Sequence, residues 1–271
     1  MNHTTPQEHS TQAPLPLFYK KPVLLNFDSH RNCGVTANNG FSFAREAAAV
    51  PVCASEFVEA SRHYPLVFGE VGTPNALAVL GVEQGRNLIV DEDGNWRADY
   101  YQPAYVRRYP FTVAEVVDKQ KQLLAIDSAS DRFVEASHRV AGVSPLFDES
   151  GAASSTAKSA IEFCCLYHRE HVSTVGFVQA LEQQELLVSK HATSHFGDGS
   201  SYKLDGFRVV DERKLRNLPA GVVCDWHSRG WLDLVVLHMA SQRNWQSLLS
   251  LRAGGNVSEP NVAMASRGLT H

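Results

Sequence analysis

This sequence has no Cys-x-x-Cys pair, no long uninterrupted apolar run and no excess of positive charge. Each absence removes a class of function. Five cysteines (Cys33, Cys53, Cys164, Cys165 and Cys224) make an odd count in a chain of 271 residues. That pattern suits small buried apolar side chains in a reducing compartment better than a disulfide framework. The strongest apolar stretch, Trp231 to Ala240, is interrupted by Asp233 and His238. It is about half the roughly 20 residues that a spanning helix needs, so no transmembrane segment is expected. Lys and Arg number 25 against 29 Asp and Glu, a net charge of −4. No global basic field exists to draw nucleic acid or anionic lipid, and nucleic acid is not expected as a partner.

Catalytic signatures are also scarce. No Gly-x-Ser-x-Gly elbow is present, and Asp28-Ser29-His30 is adjacent in sequence without implying triad geometry. Gly197-Asp198-Gly199 is not followed by the Lys-Ser/Thr of a phosphate loop. Asp91-Glu92-Asp93-Gly94-Asn95 has a calcium-loop look, but Trp96 and Gln102 fall where the loop requires glycine and a bidentate carboxylate. His191 and His195 have helical metal-pair spacing inside a Ser, Thr and Gly-rich segment that reads as loop. Cys164-Cys165 lies in an apolar helical run, where an inert thiol is the default. The weak metal candidates are His168 and Glu170, an H-x-E step, with His195 as a third ligand of an iron-type site. No cofactor is expected.

What the chain does have is a dense block from Tyr64 to Phe111, with eight aromatic residues and four prolines. Within it Asp93-Gly94 reads as a hairpin turn, because glycine accepts a positive φ. Tyr100 to Tyr109 reads as an aromatic strand whose alternation places Tyr105, Arg107 and Tyr109 on one face and Arg108 on the other. Trp96, Tyr105, Arg107 and Arg108 are the candidate ligand-binding residues, since Arg beside aromatics can stack and grip a carboxylate or phosphate. The alternative is one Arg paired internally with Glu56 or Asp91 and the other solvated.

The remaining pattern predicts strands at Pro22 to Phe27, Leu77 to Val82, Asn87 to Val90, Leu123 to Ile126 and Tyr202 to Val210. It predicts helices at Phe41 to Ala49, Ala54 to Tyr64 with Ser55 as N-cap, Ala157 to His171, Val175 to Gln184, Glu212 to Leu218 and Gly230 to Arg252. The fold class is therefore α+β: a β-rich N-terminal half with a hairpin-containing sheet, and a helical C-terminal half ending in a long buried helix. Residues 1–13 and 253–271 read as loose tails around one domain, 14–252. A composition change at 148–156 marks the place where that domain would divide.

The segments Glu56-Phe57, Tyr64-Pro65-Leu66-Val67-Phe68, Asn87-Leu88-Ile89-Val90-Asp91, Asp93-Gly94-x-Trp96 and Pro103 to Phe111 strongly resemble the bacterial SapC family. Ile126-Asp127, Leu146-Phe147-Asp148, Leu204 to Phe207 before Val210-Asp211, Gly230-x-Leu232 and His238-x-x-Ser241 continue the match in family order. The peptide-transporter permease of the same short name is unrelated. The resemblance implies a soluble bacterial protein associated with the surface layer, often encoded near halogenase-like and cupin-like oxygenases and TonB-dependent receptors. It supplies no catalytic residues.

The function expected is an accessory protein of the envelope or surface layer, acting by protein or small-ligand binding and not as an enzyme. The alternatives are a metal-dependent oxygenase, or a partner of a halogenase or oxygenase system, and a small-ligand or peptide-binding module. The polar N-terminus lacks a signal peptide, which points to the cytoplasm or to export to the surface without a cleaved signal.

Overall fold

A computed structural model describes residues 15–36, 40–116, 121–135, 141–195, 201–254 and 263–266. In chain order the strands and helices begin β1 (Pro22–Leu24), α1 (Phe27–His30), β2 (Gly34–Thr36), β3 (Ala49–Pro51), α2 (Phe57–Ala60), β4 (Leu66–Phe68), β5 (Ala76–Val79) and α3 (Ala104–Arg107). They continue with β6 (Phe111–Val116), β7 (Lys121–Asp127), β8 (Phe133–Val134), β9 (Val143–Pro145), α4 (Ser155–Gln183), β10 (Leu187–His195) and β11 (Ser201–Val210). The last are α5 (Glu212–Arg216), α6 (Ala220–Ser228), α7 (Trp231–Ser241), α8 (Asn244–Arg252) and β12 (Ala263–Ser266).

The strands form three antiparallel sheets. A six-stranded sheet runs β12-β10-β11-β4-β5-β3, and two three-stranded sheets run β1-β7-β6 and β8-β2-β9. The fold is α+β, and every described helix longer than five residues follows Ser154. The β10–β11 hairpin belongs to the C-terminal half yet completes the main sheet, and β12 pairs with β10 inside the segment expected as a tail.

Helix α4 organises the molecule. Ser154 Oγ accepts a hydrogen bond from the Ala157 backbone N–H at 3.2 Å and caps the helix start. Its buried residues, Ala157, Cys164, Tyr167, Thr174, Phe177, Val178 and Leu181, recur at spacings of three, four and seven. That is one continuous helical face. Ala157 and Cys164 join the core under β1, β2 and β7, whereas Phe177, Val178 and Leu181 join the larger core against the six-stranded sheet. Tyr167 belongs to a third, small cluster between them, with Cys53, Ala104 and Tyr105.

Several local expectations are corrected. Phe41 to Ala49 holds only a 3₁₀ turn, Ser42–Ala44, before β3. The helix expected from Ala54 is a 3₁₀ turn, Ala54–Glu56, running into the four-residue α2, and the capping residue is Cys53 rather than Ser55. The two helices expected within 157–184 are one, α4. Asn87 to Val90 is mostly loop, joined by a single bridge, Val90 to Trp96, around a turn in which Gly94 has φ 85°.

The long helix expected from Gly230 to Arg252 is two helices, α7 and α8, broken at Gln242–Arg243. Its cause is tertiary. Strands β11 and β4 pair at Arg208 and Phe68 and then diverge, so Val210 and Leu66 do not bond to each other. The end of α7 fills that gap. His238 Nε2 accepts from the Val210 N–H at 3.1 Å, Ser241 Oγ accepts from the Leu66 N–H at 2.9 Å, and Gln242 Nε2 donates to the Leu66 carbonyl at 2.8 Å. Asn244, the first residue of α8, donates to the carbonyls of Ser61 and Tyr64. His238 thus serves the end of β11, Ser241 and Gln242 the start of β4, and Asn244 the turn that leads into β4.

Candidate functional site

Arg108 is the centre of the candidate site, and a short helix puts it there. Pro103, with φ −56°, opens α3, and the backbone N–H groups of Val106 and Arg107 turn back to its carbonyl. The Ala104 N–H, an orphan donor of the first turn, is taken by Glu56 Oε1 at 2.6 Å. The expected strand through Tyr100 to Tyr109 is thus a helix at Ala104–Arg107. Helical spacing puts Tyr105 and Arg108, three residues apart, on a shared face, which overturns the alternation predicted from a strand.

Neither expected carboxylate pairs with an arginine here. Glu56 is buried and accepts from the Cys53 N–H (2.9 Å), the Tyr101 hydroxyl (2.9 Å) and the Ala104 N–H. Asp91 Oδ1 accepts from the Asn95 N–H at 2.8 Å inside the Asp93-Gly94 turn, and this bond holds its carboxyl below the usual range. Both acids have backbone work, which also explains the calcium-like run.

The Arg108 guanidinium instead lies in a corner of tyrosines. Its Cζ is 4.3 Å from the ring centre of Tyr105, 4.4 Å from Tyr167 and 5.7 Å from Tyr19. The Tyr105 and Tyr167 rings stand 5.9 Å apart at 65°, so they form two walls of a corner rather than a parallel sandwich. The walls are held from outside: Tyr105 donates to the Leu17 carbonyl at 3.0 Å and Tyr19 to the Phe111 carbonyl at 2.5 Å. Phe18, with φ 81°, packs between Phe43, Tyr105 and Tyr109. Burial pushes the phenols of Tyr19 and Tyr167 far up, so both stay protonated and the cage is neutral. Arg108 Nε is buried without a hydrogen-bond partner, whereas the residue as a whole is half-buried.

Arg107, next in line, is exposed. Its Cζ lies 5.3 Å from the Phe163 ring and 5.9 Å from Tyr101, whose hydroxyl accepts a long bond at 3.4 Å. His171 stacks on Tyr167 with ring centres 6.0 Å apart at 9°. Its pKa is lowered by burial first, then by Arg108 and His168, as expected in a positively charged neighbourhood. Burial, then Glu56 and Glu170, drives the Cys53 thiol up, and burial raises Cys164 to about 12, so neither is a reactive thiolate.

The structure therefore brings Tyr105, Arg107 and Arg108 together and separates Trp96 from them. Trp96 is core: its Nε1 donates to the Tyr101 carbonyl at 3.2 Å and its ring meets Phe41. His168 and Glu170 lie on α4, and the Glu170 carbonyl accepts from Thr174 Oγ1. The side chain of His195 lies outside the described residues. Among the described residues no three His, Cys, Asp or Glu side chains converge as a metal would require. His191 and His195 fall on strand β10, where four residues span about 13 Å, too far for one ion. Asp28-Ser29-His30 forms α1, with His30 Nδ1 3.1 Å from the Asn26 carbonyl. The sequence reading missed Tyr19, Phe163 and Tyr167. The i, i+4 spacing of Phe163 and Tyr167 was the signal, an aromatic stripe on the predicted helix.

Among the described residues no helix is long and apolar enough to cross a membrane. No curated protein and no solved structure matches the chain. The SapC family model matches residues 25–248, a span that holds α3, α4 and both arginines, and the chain belongs to the SapC family.

Proposed function

We propose that this chain is an accessory protein of the bacterial cell envelope that works by binding, with its Arg107–Arg108 face engaging an anionic group of an envelope component. The envelope setting is what the resemblance to the SapC family implies, and membership of that family supports it. The observation that carries the binding reading is Arg108 packed against Tyr105 and Tyr167 with no carboxylate within 4.0 Å among the described residues. A guanidinium packed on rings keeps in-plane donors for carboxylate or phosphate, and the rings hold it in one orientation before any ligand arrives.

Fractionation of host cells tests the reading. The chain is expected in the envelope fraction and to be released by a high-salt wash, since screening weakens an exposed charge contact. The Arg107→Ala/Arg108→Lys double variant is expected in the soluble fraction. Recovery of the unaltered chain entirely as soluble protein would overturn the proposal.

A further inference from the structure

The two arginines do not share one aromatic platform. Arg107 Cζ lies 5.3 Å from the Phe163 ring centre and Arg108 Cζ 4.4 Å from that of Tyr167, positions one turn apart on the same face of α4. Four residues of α-helix rise about 6 Å, so the two rings are offset by that much along α4 and each guanidinium has a rung of its own. Arg107 is exposed and the Arg108 Nε–H has no hydrogen-bond partner, so each guanidinium keeps a donor for a carboxylate oxygen.

Nothing described neutralises the pair at short range. Neither arginine forms an ion pair among the described residues. Glu56 and Glu170 act electrostatically on the Cys53 thiol alongside Arg108, but the Glu56 oxygens are held by Cys53, Tyr101 and Ala104. His171 and His168, on the α4 side, bring no negative charge. Two unpaired like charges on neighbouring rungs repel, and a single compact anion can sit on only one rung.

We infer that this face takes a small dicarboxylate, one carboxylate on the edge of each guanidinium. The inference rests on the anion-binding reading above and narrows it. A dicarboxylate satisfies both forks and cancels both charges, whereas a monocarboxylate leaves one cation unmatched. A phosphate ion, one charge centre, does not span the rungs.

Calorimetric titration of the full chain at low ionic strength, with glutarate and with acetate as probes, tests this. Glutarate is expected to bind at least ten-fold more tightly than acetate. Arg107→Gln should reduce glutarate to the acetate level without disturbing the fold, because Arg107 is exposed. Arg108→Lys keeps the cage charge but loses the fork, and should weaken both probes. Equal affinity for the two in the unaltered chain would overturn the dicarboxylate assignment and leave a single-anion site standing. A glutarate preference that persists in Arg107→Gln would overturn the two-rung geometry. Binding of neither probe would overturn the anion reading as well.

Discussion

The hydroxyl of Ser241 stands 2.9 Å from the backbone nitrogen of Leu66 and takes the place of a missing strand. Ser241 is fully buried and its O–H donates a hydrogen bond to the His238 carbonyl at 2.6 Å. The serine and histidine of this motif face two strands, not each other. In the fold they complete a sheet whose strands have parted.

Ser241→Ala removes the acceptor and leaves the Leu66 N–H buried with no partner. The expected cost is about 1–3 kcal/mol, the penalty for an unsatisfied buried donor. Urea denaturation measures it as a lower midpoint at unchanged slope. A change below about 0.5 kcal/mol would show that water or a backbone shift replaces the hydroxyl.

His238 makes the same joint sensitive to acid. Burial lowers its pKa to about 4, against 6.5 for the ordinary side chain. Its ring lies 4.8 Å from Phe68, and Nε2 accepts from Val210, which requires the neutral form. The folded pKa is depressed, so the unfolded chain takes up the proton first. Stability is whole above pH 6.5, falls as the pH drops, and levels off near pH 4. The integrated loss is on the order of 3 kcal/mol. Melting temperature followed from pH 7 to pH 4 should show this slope, and His238→Gln should flatten it. The same slope in His238→Gln would assign it to other groups.

The two arginines should differ in what they do for the fold. Arg107→Ala is expected to change stability by less than about 0.5 kcal/mol, as for exposed positions without a buried partner. Arg108→Ala strips a cation from three tyrosine faces and opens a void against Tyr167, at an expected cost of about 1–3 kcal/mol. Thermal melts of both variants decide it. Equal losses would mean that Arg107 is also part of the packing.

Periodic signals carried through to the structure where local preference and packing agree. Strand β7, strand β11 and helix α5 lie where the sequence pattern puts them, and α4 covers both helices expected there as one. Three features escaped because their causes are remote in sequence. The helix at Arg107 depends on a carboxylate 48 residues away, Glu56, bonding to Ala104. The break after Ser241 depends on Leu66, 175 residues distant. The cage around Arg108 draws Tyr19 from the N-terminal segment and Tyr167 from α4. Arg107 and Arg108 were legible as an unusual pair, and so was the expectation that one would turn inward. Its partner was not, because a tyrosine wall leaves no charge pattern in the sequence.

The end of α4 offers a test in the opposite direction, a gain of stability. The Glu185 N–H bonds to the Glu182 carbonyl at 2.9 Å and the Leu186 N–H to the Leu181 carbonyl at 3.0 Å, the two bonds of a Schellman cap. Such a cap puts its C′ residue in the left-handed region, and here Glu185 has φ 51°. For a residue with a side chain that conformation costs about 1–2 kcal/mol, whereas glycine adopts it freely and loses about 0.5–1 kcal/mol through its looser unfolded chain. The Glu185 side chain is exposed, and its nearest cation, Lys214 Nζ, is 4.0 Å away, so little is lost with it. Glu185→Gly is therefore expected to stabilise the protein by about 0.5–1 kcal/mol. Lys214 keeps its bond to the residue 185 carbonyl, at 2.8 Å, because that oxygen belongs to the backbone. Glu185→Val, which stiffens the backbone where a positive φ is required, should move the melting temperature the other way. A lower melting temperature for the glycine variant would show that the Glu185 side chain contributes more to the cap than its backbone angle costs.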